Sequence, residues 1–308
     1  MTREIKNKYK SSYFFTPLEI KRIDKIFFVK GVVVINTNSE KKLLPYGGAD
    51  TDRQLAIQKA LSELVERIVW WELFSRYMKI FPNTIGFAAH IDFISCIDNS
   101  LSEFIERIVF SSVIKNLKTK KNYVNLKKYY KIRKIDNSIV FITKQHEREI
   151  YYSIYTKIVT NDINGFTTEG VIFGLGKNKN QDFAINDSKY ESTLIANSVF
   201  NLIKGSKSIA KNNSAYIEAV HFLELFKNMT ILNNCKNINE SPINSPVPIL
   251  DDISYAVFDV SSYIPDILKP LKRYVCFTCD LKKKDFIEKN CILNNPIQIF
   301  PAMRRKYE

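Results

Sequence analysis

Histidine, tryptophan and glycine are scarce in this chain, which has 3, 2 and 9 of them among 308 residues. So little glycine excludes a collagen-like protein, which needs glycine at every third position. The three histidines, His90, His146 and His221, follow no metal-binding spacing, and a hydrogen-bonded structural role is the favoured one for His90. Hydrophobic residues make up 45% and charged residues 25%, close to the globular average, so a disordered protein is excluded too.

Cysteine is also sparse, and its pattern argues against a secreted disulfide scaffold. The five cysteines are an odd number and are spread unevenly along the chain. Oxidised extracellular domains usually have an even number at regular spacing. Cys276 and Cys279 form one C-x-x-C pair, and since no second pair accompanies it, buried core cysteines are favoured over a zinc site that would add Cys235 and Cys291. We therefore expect a protein of a reducing compartment.

Long apolar runs are missing from the sequence. The longest, residues 26–35, is interrupted by Lys30 and is much shorter than the ~18–20 apolar residues that a membrane-spanning helix needs. The apolar core of a signal peptide does not occur before Pro17. These absences predict a soluble, cytoplasmic protein without a membrane partner.

Positive charge is abundant, since 46 lysines and arginines exceed 32 aspartates and glutamates and give a net charge of +14. Residues 115–134 contain many of these cations, no acidic residue and three tyrosines. A solvated basic surface is the favoured interpretation. A nucleic-acid binder, with phosphate contacts from the cations and bases stacked on the tyrosines, is the weaker alternative.

Apolar periodicity predicts a mixed α/β (α+β) fold, in which strands alternate with long helices. The expected helices cover residues 51–77, 92 or 95 to 117, and 182–203. The expected strands cover residues 26–35, 85–89, 139–143, 150–158, 171–176, 253–260 and 274–281. Proline and glycine predict a turn at residues 45–48, and residues 233–248 read as a linker or long loop within a single domain spanning residues 1–308.

One helical motif occurs twice, 40 residues apart. Residues 60–70 read ALSELVERIVW and residues 100–110 read SLSEFIERIVF, with seven of eleven positions identical. Each copy contains Glu-x-x-Glu-Arg, and residues three and four apart share a helix face. Each helix therefore presents two carboxylates and one guanidinium on one side: Glu63, Glu66 and Arg67 in the first, Glu103, Glu106 and Arg107 in the second.

Two interpretations of this motif are open. Residues four apart, such as Glu63 and Arg67, form surface ion pairs worth about 0.3–0.5 kcal/mol each, which would explain a single copy. Duplication favours a second interpretation, in which the four carboxylates face one cleft and need bound cations to offset their repulsion. Mg²⁺ meets that need, since it prefers oxygen ligands and bridges nucleotide phosphates.

The chain resembles the YcaO family in the order of its motifs, over residues 30–205. The matching segments are, in chain order, Gly47-Gly48, Ala56-x-x-x-Ala60-Leu61, the first Glu-x-x-Glu-Arg helix, Gly86-x-Ala-Ala-His90, the second such helix, a strand pair near Ile139 and Ile150, and Gly174-Leu-Gly176 before a helix with Glu191. The resemblance implies a YcaO-like fold of repeated strand–helix units that binds ATP and Mg²⁺. It implies that Glu63, Glu66, Glu103 and Glu106 hold the metal, and that Arg67, Arg107 and Glu191 complete the ATP site.

The activity that this resemblance implies is ATP-dependent modification of a peptide backbone. The expected enzyme is a cyclodehydratase, which turns Cys, Ser or Thr of a ribosomal precursor peptide into thiazolines or oxazolines during bacteriocin-like biosynthesis, without a protein nucleophile. The implied partners are the precursor peptide and a separate leader-binding protein, and residues 115–134 would suit an acidic leader. Assembly into a homodimer is one alternative, and nucleic acid is not an expected partner.

Several positions depart from the family pattern. Lys59 replaces a small hydroxyl residue, and Ser95 replaces an acidic Mg²⁺ ligand of many members, although Asp92 and Asp98 lie nearby. Glu191 lacks the glutamine that follows it in the family. The alternative is therefore a degenerate, non-catalytic YcaO-like subunit of a peptide-modifying complex.

Overall fold

A computed structural model describes residues 11–23, 25–37, 41–72, 86–118, 123–145, 148–163, 166–205, 228–241, 253–259, 274–280 and 298–301. The predicted mixed α+β class is confirmed, because helices and β-sheets both make up the fold. Tertiary contacts divide the chain into two compact units, Met1–Phe104 with Leu250–Glu308, and Ile105–Ile249. Within the described ranges, no helix combines the length and apolarity needed to cross a bilayer.

Twelve strands and five helices are named here for the described part of the chain. The strands are β1 (Ser12–Phe15), β2 (Glu19–Ile23), β3 (Ile26–Asn36), β4 (Lys41–Asp50), β5 (Phe87–His90), β6 (Lys131–Ile135), β7 (Ser138–Gln145), β8 (Ile150–Ile163), β9 (Phe166–Asn178), β10 (Ile253–Asp259), β11 (Tyr274–Asp280) and β12 (Gln298–Pro301). The helices are α1 (Arg53–Val69), α2 (Phe93–Leu117), α3 (Tyr123–Tyr129), α4 (Gln181–Gly205) and α5 (Met229–Asn237).

The first unit contains two antiparallel sheets. In the first sheet β3 pairs with β4 along one side and with β1 and β2 along the other. The second sheet has the order β12-β10-β11-β5. Helix α1 buries Ala56, Ala60 and Leu64 in one core with the first sheet and with Phe87 and Ala89 of β5. Helix α1 therefore packs against strands of both sheets.

The predicted turn at residues 45–48 is wrong, because these residues lie inside β4. Among the described residues β4 is an edge strand, where the missing N–H of Pro45 costs no ladder hydrogen bond. Gly48 is needed for close packing, since a Cβ there would overlap the carbonyl oxygen of Ala56 and the amide nitrogen of Ala60 in α1. The glycine that suggested a turn thus lets a helix approach a strand.

Strand β5 begins one residue after a tight turn. Gly86 has a φ of +75°, in the left-handed region that favours glycine. Its carbonyl oxygen accepts hydrogen bonds from the Ser100 hydroxyl at 2.6 Å and from the Thr278 amide at 2.9 Å. These bonds join the start of β5 to α2 and to β11.

The second unit is built on one antiparallel sheet with the order β6-β7-β8-β9. The strand pair predicted near Ile139 and Ile150 is confirmed as the pairing of β7 with β8. Helix α4 packs closely on β8 and β9, since a Cβ at Gly174 would overlap the carbonyl oxygen of Ser188. Phe110 of α2 meets Phe173 edge to face, with ring centroids 5.6 Å apart.

The predicted linker at residues 233–248 begins inside a helix. Residues 233–237 belong to α5, because Ile231 and Cys235 are buried on one side of it and Asn228 caps its start. The Asn234 side chain donates a 2.6 Å hydrogen bond to the carbonyl oxygen of Leu117. Residues 242–248 lie outside the described part of the chain.

One strand–cap–helix arrangement occurs three times, in β4–α1, β5–α2 and β9–α4. A side chain at the end of each strand accepts the N–H of the residue two places on, and these acceptors are Asp50, His90 and Asn178. That second residue then caps the helix by accepting N–H groups of its first turn, and the caps are Asp52, Asp92 and Asn180. A cap of this kind contributes about 1 kcal/mol. The copies are offset by 40 and 128 residues.

Candidate functional site

Glu63 lies on α1 beside the edge strand β4. Its Oε2 accepts a 2.8 Å hydrogen bond from the Gly47 amide, and its Oε1 accepts one of 3.1 Å from Nη2 of Arg67. The ion pair expected from the four-residue spacing therefore forms. It is only partly solvated, because the side chains are 20% exposed for Arg67 and 35% exposed for Glu63. The Glu63–Arg67 ion pair is therefore more buried than the fully solvated surface pair that the first interpretation assumes.

Glu66 lies one turn further along α1 and contacts a different sheet. Its Oε1 accepts a 2.9 Å hydrogen bond from the amide of Ala89 in β5, which is the edge of the second sheet. Two carboxylates of one helix thus accept hydrogen bonds from backbone amides in edge strands of two sheets.

The surroundings of the Glu66 carboxyl group disfavour its charged form. The pKa of Glu66 is raised to about 8, mainly by desolvation in the surrounding protein and to a smaller extent by the charges of Glu63 and Glu103. The Ala89 amide and Arg67 act in the opposite direction. Glu66 is only partly exposed to solvent. The carboxyl groups of Glu63 and Glu103 therefore both lie within electrostatic reach of Glu66.

Stability as a function of pH tests this environment. Glu66 titrates near pH 8 in the folded chain and near 4.5 when unperturbed, so between these values the folded state holds a proton that the unfolded state has released. In EDTA we expect the free energy of unfolding to fall as the pH rises through this window. Urea unfolding at several pH values should give a shallower decline for Glu66→Gln, and equal slopes for variant and wild type would contradict the assignment.

The second copy of the motif lies on α2. Glu103 belongs to the first unit, with Glu63, Glu66 and Arg67. Glu106 and Arg107 follow on the next turn and belong to the second unit. Glu106 is 7% exposed, which is a low value for a carboxylate. The first unit therefore contains four of the predicted site residues, which are Glu63, Glu66, Arg67 and Glu103.

Glu191 is the counterpart of Glu63 in the third copy. Its Oε2 accepts a hydrogen bond from the backbone amide of Leu175 in β9, sixteen residues earlier in the chain. Glu63 likewise accepts a hydrogen bond from the amide of Gly47, sixteen residues before it. The positions of the second glutamate and the arginine are occupied by Leu194 and Ile195. The third copy therefore supplies one carboxylate rather than two.

The backbone amides that hold these glutamates were not predicted from the sequence. They belong to Gly47, Ala89 and Leu175, and an amide leaves no signature in residue type. The cap residues were missed as well. A search at an offset of 128 would have found Gly48 with Gly176, Ala56 with Ala184, Ile57 with Ile185 and Glu63 with Glu191, too few identities to stand out.

Lys59 and Asp92 have defined contacts in the structure. Nζ of Lys59 lies 2.8 Å from Asp50 Oδ2 and 3.3 Å from the carbonyl oxygen of Ala49. Asp92, the acidic residue near Ser95, accepts the Ser95 amide at 2.7 Å and caps α2. That backbone hydrogen bond is the main reason that the pKa of Asp92 is lowered.

The donor set fits magnesium held together with a phosphate ligand. Among the residues that the structure describes, no three carboxyl, imidazole or thiol groups are grouped so that they form a ready-made metal site. Mg²⁺ is commonly held by one or two carboxylates while phosphates and waters fill its other positions. Glu63, Glu66 and Glu103 supply carboxylates for such an arrangement.

The cysteines and histidines have structural surroundings where they are described. Cys96, Cys235 and Cys276 are buried free thiols, as predicted for core cysteines. Nδ1 of His90 accepts the Asp92 amide at 2.9 Å, which confirms its structural hydrogen bond. The remaining histidines and Cys291 lie outside the described residues.

The matches between this chain and known proteins are among solved structures. No family model matches the chain, and a search of curated proteins finds no match. Among solved structures, the chain is similar to YcaO from Methanopyrus kandleri, which was determined with AMPPCP and Mg²⁺ bound. The identity is 11% and the TM-score 0.42, over 68% of this chain and 69% of that one.

Proposed function

We propose that this chain is an ATP- and Mg²⁺-dependent enzyme of YcaO type that modifies a peptide backbone. The observation that carries the proposal is that Glu63 and Glu103, from two copies of one helical motif, both act electrostatically on the Glu66 carboxyl group. Repulsion among three carboxylates destabilises a folded chain unless cations or protons offset it. A binding site for metal-bound phosphates accounts for that arrangement, whereas two independent surface helices would not need it.

The glutamates of α1 and α2 would hold magnesium beside the nucleotide phosphates. Glu63 and Glu66 are oriented by the Gly47 and Ala89 amides, so little side-chain freedom remains to be lost when a ligand binds. Arg67 is fixed beside Glu63 and can also donate to a phosphate oxygen. We further propose that Glu106 helps to hold magnesium. Arg107 and Glu191 would complete the ATP site.

The reaction that we propose is cyclodehydration. ATP supplies the phosphoryl group that turns a peptide amide oxygen into a leaving group. The thiol or hydroxyl of the next residue attacks the amide carbon and loses its proton, the C–O bond breaks as the oxygen leaves with phosphate, and loss of the amide N–H proton completes the C=N bond of the ring. The protein positions the reactants and offsets negative charge, as phosphoryl-transfer enzymes generally do. We further propose that a leader-binding protein delivers the precursor.

Turnover with a defined peptide tests this proposal. Purified chain would be incubated with Mg·ATP, a cysteine-containing precursor peptide and the leader-binding protein. We expect ADP and phosphate to form in step with the loss of one water per ring, read by mass spectrometry. A matched peptide with alanine for cysteine should lose no water.

The same assay separates an enzyme from a non-catalytic subunit. Ion pairing of Lys59 with Asp50 and the single carboxylate of the third copy favour this second candidate. A non-catalytic subunit would leave the peptide mass unchanged in all mixtures, and that result would contradict the catalytic proposal.

A further inference from the structure

The first sheet has two faces with different surroundings. Val29, Val33 and Leu44 point into the core shared with α1. Because successive residues of a strand point to opposite faces, their immediate neighbours point away from that core. We call this second side the outer face of the first sheet.

Apolar side chains form adjacent rows on the outer face. Phe14, Val34 and Leu43 stand side by side across β1, β3 and β4. Phe14 is 58% exposed and Leu43 is 40% exposed, while Val34 is partly exposed. Val32 and Pro45 form the next row and are themselves at least partly exposed. Exposed apolar groups that touch one another mark interaction surfaces more often than scattered ones do.

Lysines lie beyond both ends of these rows. Lys41, which is exposed, lies two residues from Leu43 on the same face of β4. Lys30 lies two residues from Val32 on β3, and Lys21 of β2 is in the following row. Glu19 pairs with Lys21 and offsets one of these charges. From the Lys41 row to the Lys30 row, the outer face is therefore apolar in its middle and positive at its ends, and the next row holds the buried Phe28 beside Lys21.

We propose that this outer face docks a segment of a partner protein that is apolar in the middle and acidic at its ends. Charge complementarity selects this occupant over a second copy of the chain. A two-fold pairing of identical faces would bring lysines against lysines, and like charges that meet across an interface weaken it. The inference is independent of the nucleotide site.

A synthetic probe tests the docking surface on the full-length chain. The probe is a fluorescein-labelled amphipathic helical peptide with leucines on one face and glutamates beside them, and its control carries lysines in place of the glutamates. Fluorescence anisotropy should show saturable binding of the acidic peptide that weakens with added salt. Binding of both peptides with equal affinity would overturn the proposal, as would binding of neither.

Variants locate the binding on the outer face. Phe14→Ser and Leu43→Ser should each weaken binding by about tenfold or more, and Lys41→Glu should remove part of its salt dependence. Met229→Ser is the matched control, because Met229 is 58% exposed on α5 and should leave binding unchanged. Urea unfolding would verify that all variants are folded. Wild-type affinity in the three outer-face variants would contradict the assignment. Sedimentation velocity that shows a dimer of the wild-type chain and a monomer of Phe14→Ser would contradict it as well.

Discussion

Glu63→Gln or Glu103→Gln should each abolish Mg²⁺-dependent ATP turnover while the fold remains intact. Glutamine keeps an oxygen that can accept the Gly47 amide at position 63, so the hydrogen bond to β4 survives. The charge that would hold magnesium is lost. Removal of one electrostatic contact to a reacting group typically costs about 10²–10³ in rate. Phosphate release at saturating magnesium measures this directly.

Glu169→Gln is the matched control for these two substitutions. Glu169 is an exposed glutamate of β9 that pairs with Lys236 at 2.7 Å and belongs to no copy of the Glu-x-x-Glu-Arg motif. Its loss should leave turnover close to the wild-type rate, because an exposed pair contributes little. Retention of wild-type turnover in both Glu63→Gln and Glu103→Gln would remove the proposed site.

Gly174→Ala should destabilise the second unit strongly. A Cβ at this position would overlap the carbonyl oxygen of Ser188 and the amide nitrogen of Ser192, which are backbone atoms of α4. The helix must shift away from β9, because backbone atoms cannot rotate out of the way. We expect a loss of about 1–3 kcal/mol or more in the free energy of unfolding, measured in urea.

Asn186→Ala on the same helix gives the reference for that experiment. Asn186 is exposed, and alanine has the highest helix propensity, so stability should change by only a few tenths of a kcal/mol. Equal stability of Gly174→Ala and Asn186→Ala would show that α4 does not depend on the close approach to β9.

The fold class and the long helices could be predicted because they depend on local patterns. The apolar stripe of α1 repeats at three and four residues, which is the period of a helix with one buried face. The prediction failed at Pro45 and Gly48, where proline and glycine ordinarily indicate a turn. Their real causes are an edge-strand position and a helix in van der Waals contact, and both depend on residues that the local sequence does not reveal.

The sequence repeat singled out three glutamates whose charges interact in the structure, but it did not predict their hydrogen-bond partners. Duplication of Glu-x-x-Glu-Arg identified Glu63, Glu66 and Glu103, and in the structure the first and third of these lie within electrostatic reach of Glu66. No sequence pattern indicates that Glu66 contacts the Ala89 amide rather than a residue of its own strand–helix copy. That contact depends on the packing of α1 against a second sheet, which is a tertiary property.

Equilibrium binding of ATP is the most direct test of the central claim, that carboxylates from two repeated helices hold a magnesium-bound nucleotide. Isothermal titration calorimetry of the full chain would compare Mg²⁺ with EDTA. We predict saturable binding in Mg²⁺ that disappears in EDTA and weakens by at least about tenfold, or 1.4 kcal/mol, in Glu63→Gln and Glu103→Gln. Binding of equal strength in EDTA, or undiminished in both variants, would contradict the account.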